Sequence, residues 1–212
     1  MAALDPYVLV TLAAVAALMV AEATHRPTLR AVAKTTASTA FCLYAWSLSD
    51  GGGATYDRLI LAALVCSWWG DVLLLSKRDT MFMGGLGAFL LGHVAFAAAF
   101  WQHGTSSVAL GASLLGFGLV ARVVWRWLSP HVRGAMRAPV VAYVLVITVM
   151  VSLATAATMG GGSVRMLVGA TAFFVSDLAV ARDRFVAPGV SNRMWGLPLY
   201  YGAQLVLAST VG

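Results

Sequence analysis

The stretch APVVAYVLVITVMVSLATAAT, residues 138–158, decides the class of fold. It holds no Asp, Glu, Lys, Arg or His. A helix rises 1.5 Å per residue, so about 20 residues cross a hydrocarbon core of about 30 Å. Seven more apolar runs of similar length flank it, at 7–22, 32–49, 58–76, 81–101, 106–127, 163–181 and 193–211. The 212 residues are 60% hydrophobic and 10% charged, against about a quarter charged in a soluble domain. Mean hydropathy is +0.85. The pattern predicts an all-α, polytopic membrane protein of eight transmembrane helices, forming one domain over 1–212. Polar breaks carry loop chemistry at Asp50-Gly51-Gly52-Gly53, Ser129-Pro130, Gly160-Gly161-Gly162 and Pro188-Gly189. The N-terminus, Met1-Ala2-Ala3-Leu4-Asp5, lacks a basic n-region, so the first run reads as a retained span.

The net charge of +6 does not indicate a nucleic-acid partner. Its cations fall in short loops rather than in a basic stripe interleaved with aromatics. Arg26, Arg30, Lys34, Lys77, Arg78, Arg126, Arg133, Arg137, Arg182, Arg184 and Arg193 follow spans 1, 3, 5 and 7, whereas only Arg58 and Arg165 lie opposite. Positive charge accumulates on the cytoplasmic side, so both termini are expected on the other side of the cell membrane. Cys42 and Cys66 lie inside apolar runs and read as small core residues.

Ionisable groups within lipid are costly and therefore mark candidate sites. Asp71 lies in Cys66-Ser67-Trp68-Trp69-Gly70-Asp71, six residues before Lys77. Asp177 lies in Phe173-Phe174-Val175-Ser176-Asp177, five before Arg182. Similar depth predicts one shared cavity on the cytoplasmic side. Glu22 ends span 1, Lys34 opens span 2, and Arg122 is near the cytoplasmic end of span 5. His93 lies deeper in span 4; Tyr200 and Gln204, four residues apart, share a face of span 8, with Tyr201 beside them.

Other patterns carry less. Gly116-Phe117-Gly118-Leu119-Val120-Ala121 matches a dinucleotide fingerprint by letters but has no strand before it. Gly84, Ala88 and Gly92 fit close helix packing. No metal-ligand spacing or nucleophile elbow occurs, so no metal or cofactor is expected. Gly70-Asp71 followed by Lys77-Arg78-Asp79, and Ser176-Asp177 followed by Arg182-Asp183-Arg184, suggest a parallel repeat of spans 1–4 and 5–8.

Together, Gly70-Asp71, Phe89-Leu90-Leu91-Gly92-His93, Ser176-Asp177 with Arg184-Phe185, and Tyr200-Tyr201-Gly202-Ala203-Gln204 resemble the YhhN-type lysoplasmalogenase family. The resemblance runs from about Lys34 to Gln204. It implies an eight-span hydrolase that cleaves the vinyl ether of a lysophospholipid among membrane lipids. The products would be a fatty aldehyde and glycerophospho-ethanolamine or -choline. The family's paired aspartates fall on Asp71 and Asp177. Its Lys-Pro reads Lys34-Thr35 here, a tyrosine three residues after the histidine is Phe96, and a threonine before the tyrosine pair is Leu199.

A vinyl ether yields to acid rather than to nucleophiles. Two carboxylates, one protonated and one ionised, would divide the work as they do in glycosidases. His93, Tyr200, Tyr201 and Gln204 are candidates to orient them, and Glu22, Lys34 and Arg122 to line the mouth, the two cations holding phosphate. The competing class is a proton-coupled carrier of lipid or a small molecule, which also uses carboxylates within a bundle.

Overall fold

The computed structural model describes residues 5–49, 53–76 and 78–212. Met1–Leu4, the Asp50–Gly52 part of the first glycine break and Lys77 lie outside the described residues. Among the described residues, eight α-helices form on the eight apolar runs: α1 (Pro6–Ala23), α2 (Pro27–Leu48), α3 (Thr55–Leu73), α4 (Asp79–Gln102), α5 (Ser107–Leu128), α6 (Arg137–Met159), α7 (Val164–Ala181) and α8 (Val190–Ala208). A short 3-10 turn (Gly134–Met136) leads into α6, and a π-helical turn (Arg182–Val186) extends α7. Among the described residues there is no strand.

Five of these helices are long and apolar enough to cross a membrane: α1, α4, α5, α6 with its leading turn, and α7 with its trailing turn. The other three carry more polar groups. These include Arg30, Lys34 and Ser38 in α2, Asp57 and Asp71 in α3, and Asn192 and Gln204 in α8. Large apolar side chains such as Val108, Leu115 and Leu119 are exposed on α5. Contiguous apolar surface of this kind belongs in lipid rather than water. The chain is a multi-pass membrane protein.

Two boundaries differ from the apolar runs, and both matter for the site. Pro27 starts α2 five residues before the run does, because proline suits the first helical position. Arg30, which the run left out, is therefore helical and on the same helix as Lys34. At the other boundary α3 ends at Leu73, where Leu75 and Ser76 tighten into three-residue bonds to the Val72 and Leu73 carbonyls. Asp71 thus sits in the last turn of α3, nearer the helix end than the run suggested.

Successive helices reverse direction. The α1–α2 turn uses His25 at φ 54°, and the Arg26 amide donates to the Ala21 carbonyl at 3.0 Å, a left-handed helix stop. At this end Arg30 reaches the Leu74 carbonyl and Arg193 reaches Glu22. At the other end Tyr56 bonds Thr210, and Arg165 bonds the Ser209 carbonyl. The cation-rich connections therefore share one end of the bundle, and Arg58 and Arg165 lie at the other.

The core is filled by Leu18, Phe41, Ile60, Leu64, Phe96, Phe100, Met150, Phe173 and Leu207. Helices α3 and α4 approach closely through glycine. A Cβ on Gly92 would meet the Ala63 carbonyl at 3.1 Å, and one on Gly70 would meet the Phe89 ring at 2.5 Å.

Candidate active site

A cavity of about 440 Å³ opens within the cation-rich end, and every helix contributes to its wall. Asp71 and Asp177 both line it, as do Glu22, Lys34 and Tyr200. Phe89, Val124, Leu128, Ile147 and Phe174 make an apolar side. The cavity therefore joins a charged rim to an apolar interior, the form that suits an amphipathic ligand.

Asp71 is enclosed by donors. Lys34 Nζ lies 3.1 Å from Oδ1. Ser38 Oγ donates to Oδ2 at 2.5 Å and Tyr200 Oη at 2.8 Å. Lys34 and Ser38 are one turn apart on α2, so both face α3. Tyr201 Oη lies 3.2 Å from Ser38 Oγ and donates to the Lys34 carbonyl at 3.3 Å, bracing the donors from behind. The carboxylate thus meets one ammonium and two hydroxyl donors.

Asp177 has a different shell. Tyr143 Oη donates to Oδ2 at 2.9 Å. His93 Nε2 lies 3.3 Å from the same oxygen, at ion-pair distance but without the alignment of a hydrogen bond. The other ring nitrogen, Nδ1, is 2.6 Å from the Phe89 carbonyl. A carbonyl only accepts, so Nδ1 carries a hydrogen. A neutral ring would then aim the Nε2 lone pair at a carboxylate oxygen.

The rim is ionic. Buried Glu22 lies 2.9 Å from Arg30 Nε and 3.1 Å from Arg193 Nη1. Asp183 Oδ1 accepts from the Gly189 amide at 2.8 Å and from Asn192 Nδ2 at 3.2 Å, tying the π-helical turn to the start of α8. Arg184 pairs with Asp79 and lies over the Phe82 ring.

Of the residues singled out by sequence, the cavity wall includes Glu22, Lys34, Asp71, Asp177 and Tyr200. His93 stands behind Asp177 and Tyr201 behind Ser38. Gln204 is buried one turn beyond Tyr200, donating to Ser67 at 3.3 Å. Arg122 does not reach the cavity. Val124 and Leu128 are the α5 wall residues, and Arg122 precedes Val124 by two positions, about 200° around the helix. It is exposed on the far side, which corrects its expected place at the mouth. Ser38 and Tyr143 were not singled out. Tyr143 is a polar-tipped residue in a run without charge, the same kind of signal that marked His93.

A family model described as the YhhN family matches residues 29–211. The chain belongs to the YhhN family. Among curated relatives of this YhhN protein, "Lysoplasmalogenase TMEM86B" of Mus musculus is 32% identical over 165 residues, covering 78% of this chain and 67% of that protein. "Lysoplasmalogenase TMEM86A" of Bos taurus is 30% identical, covering 79% and 72%. A "Lysoplasmalogenase" of Mycobacterium tuberculosis is 29% identical, covering 68% and 55%. No solved structure matches the YhhN chain.

Proposed function

We propose that this YhhN protein hydrolyses the vinyl ether of lysoplasmalogens, releasing a fatty aldehyde and glycerophospho-ethanolamine or -choline. The observation that carries the reading is the pair of carboxylates on one cavity with unlike partners. The names of its relatives support this choice of substrate. Eight membrane-crossing helices, both termini outside the cytoplasm and a cavity facing inward complete the picture. Support for that orientation comes from the cations gathered at the cavity end. Each aspartate takes partners from the helices that a 4+4 repeat would pair. For Asp71 on α3 these are α2 and α8; for Asp177 on α7 they are α6 and α4. That correspondence favours the repeat.

In this mechanism Asp177 is the acid. The proton held with His93 passes to the vinyl carbon remote from oxygen, and the double bond becomes an oxocarbenium ion. Asp71, already ionised, and Asp177, now ionised, offset the developing charge. Water attacks the cationic carbon and loses a proton to Asp177. The hemiacetal hydroxyl then gives up its proton as the bond to the glycerol oxygen breaks, that oxygen takes up one proton in exchange, and the aldehyde leaves. One water is consumed and Asp177 recovers its proton. General acid catalysis of this kind contributes about 10²–10⁴-fold.

The test is to incubate the purified protein with a lysoplasmalogen and with its saturated alkyl-ether counterpart. Aldehyde is expected only from the vinyl ether. Absence of aldehyde from both would end the reading.

A further inference from the structure

The rim of the cavity carries both signs of charge, and its partners are unevenly satisfied. Glu22 has both oxygens committed, one to Arg30 and one to Arg193. It holds the two guanidinium groups side by side. Arg30 also gives Nη2 to the Leu74 carbonyl. Among the described residues, Nε of Arg30 and Nε of Arg193 are buried without an aligned hydrogen-bond partner, so neither guanidinium is fully satisfied by the protein. Asp183 is the reverse case. Its Oδ1 is occupied by the Gly189 amide and Asn192, while the nearest cation to Oδ2 is Arg193 Nε, 3.9 Å away. All four residues line the cavity.

Two cations and two anions cancel. A plain anion at this rim would meet two guanidinium groups and two carboxylates, and so would a plain cation. A ligand with both signs, spaced as the rim is, meets attraction at each end. Guanidinium groups recognise phosphate through paired N–H donors. A carboxylate oxygen without a close partner recognises an ammonium.

We propose that Arg30, Arg193 and Asp183 form a headgroup seat for a zwitterionic phospholipid. The phosphodiester lies against the two arginines and the headgroup amine against Asp183 Oδ2. The proposal rests on the reading of the cavity as a lysolipid site and adds the residues that hold the headgroup and discriminate for its amine.

The test uses uncleavable ligands, so turnover does not enter. Binding to the full-length protein in detergent is followed by tryptophan fluorescence. The ligands are a saturated alkyl-ether lysophosphoethanolamine and the matching lysophosphate, which lacks the amine. Wild type is expected to prefer the amine-bearing lipid about tenfold, or about 1.4 kcal/mol. Asp183→Asn keeps an acceptor for the Gly189 amide and should erase the preference. Arg193→Gln should weaken both lipids. Soluble glycerophosphoethanolamine should compete at millimolar concentration, and inorganic phosphate much less well. Equal affinity of wild type for the two lipids would overturn the proposal without recourse to a variant. So would a preference that survives Asp183→Asn, or phosphate competing as well as glycerophosphoethanolamine. A protein that shows the preference yet releases no aldehyde from a vinyl ether would retire the hydrolase and keep the seat.

Discussion

The two carboxylates of the cavity occupy matching places and differ in almost everything else. Asp71 has a side chain 3% exposed, an ammonium at 3.1 Å and two hydroxyl donors. Asp177 is 16% exposed and faces one hydroxyl and one imidazole whose other nitrogen is anchored to a backbone carbonyl. The first shell encloses its carboxylate between a cation and two hydroxyls. The second is sparser and leaves the carboxylate open to the cavity. Two acidic residues at similar positions in sequence thus come to differ through their neighbours alone.

The largest expected effect that tests this contrast is on turnover. Asp177→Asn removes the proton donor and should lower aldehyde release by about 10²–10⁴-fold while the protein remains folded. Normal turnover would break the assignment. Asp71→Asn should also lose activity, but for a second reason. It leaves the Lys34 ammonium buried without its counter-charge, a change that costs about 3–5 kcal/mol. Thermal unfolding in detergent should therefore drop sharply for Asp71→Asn and little for Asp177→Asn. Adding Lys34→Met to Asp71→Leu should recover stability and not activity.

Smaller effects sharpen the comparison at the residues preceding each aspartate. A methyl at Gly70 would meet the Phe89 ring, so Gly70→Ala should destabilise by about 1–3 kcal/mol, the range for overpacking. It should also disturb His93, whose Nδ1 rests on the Phe89 carbonyl. The matching Ser176 bonds only the Phe173 carbonyl of its own helix, at 2.7 Å. Ser176→Ala should cost less than about 1 kcal/mol in the same unfolding assay.

Much of this was legible in the chain before its structure. Asp71, Asp177 and His93 announce themselves because an ionisable group in an apolar run has few inert explanations. The charge count separated the two ends of the bundle. What escaped was helix phase. Arg122 and Val124 are neighbours in sequence and opposite in space, and only the packing of α5 on α6 says which of them faces inward. Ser38 was hidden among small residues, where nothing in the run marks its bond to Asp71. The three polar helices also look weak by hydropathy for the same reason that they matter, since α2, α3 and α8 hold the shell of Asp71.

The central claim is that a proton moves from a carboxylate to carbon, and its most direct test is turnover in D₂O. Mass spectrometry of the aldehyde should find one deuterium on the carbon next to the carbonyl, with about 10²–10⁴-fold less of it formed by Asp177→Asn. An aldehyde released by wild type without deuterium at that carbon would contradict the account.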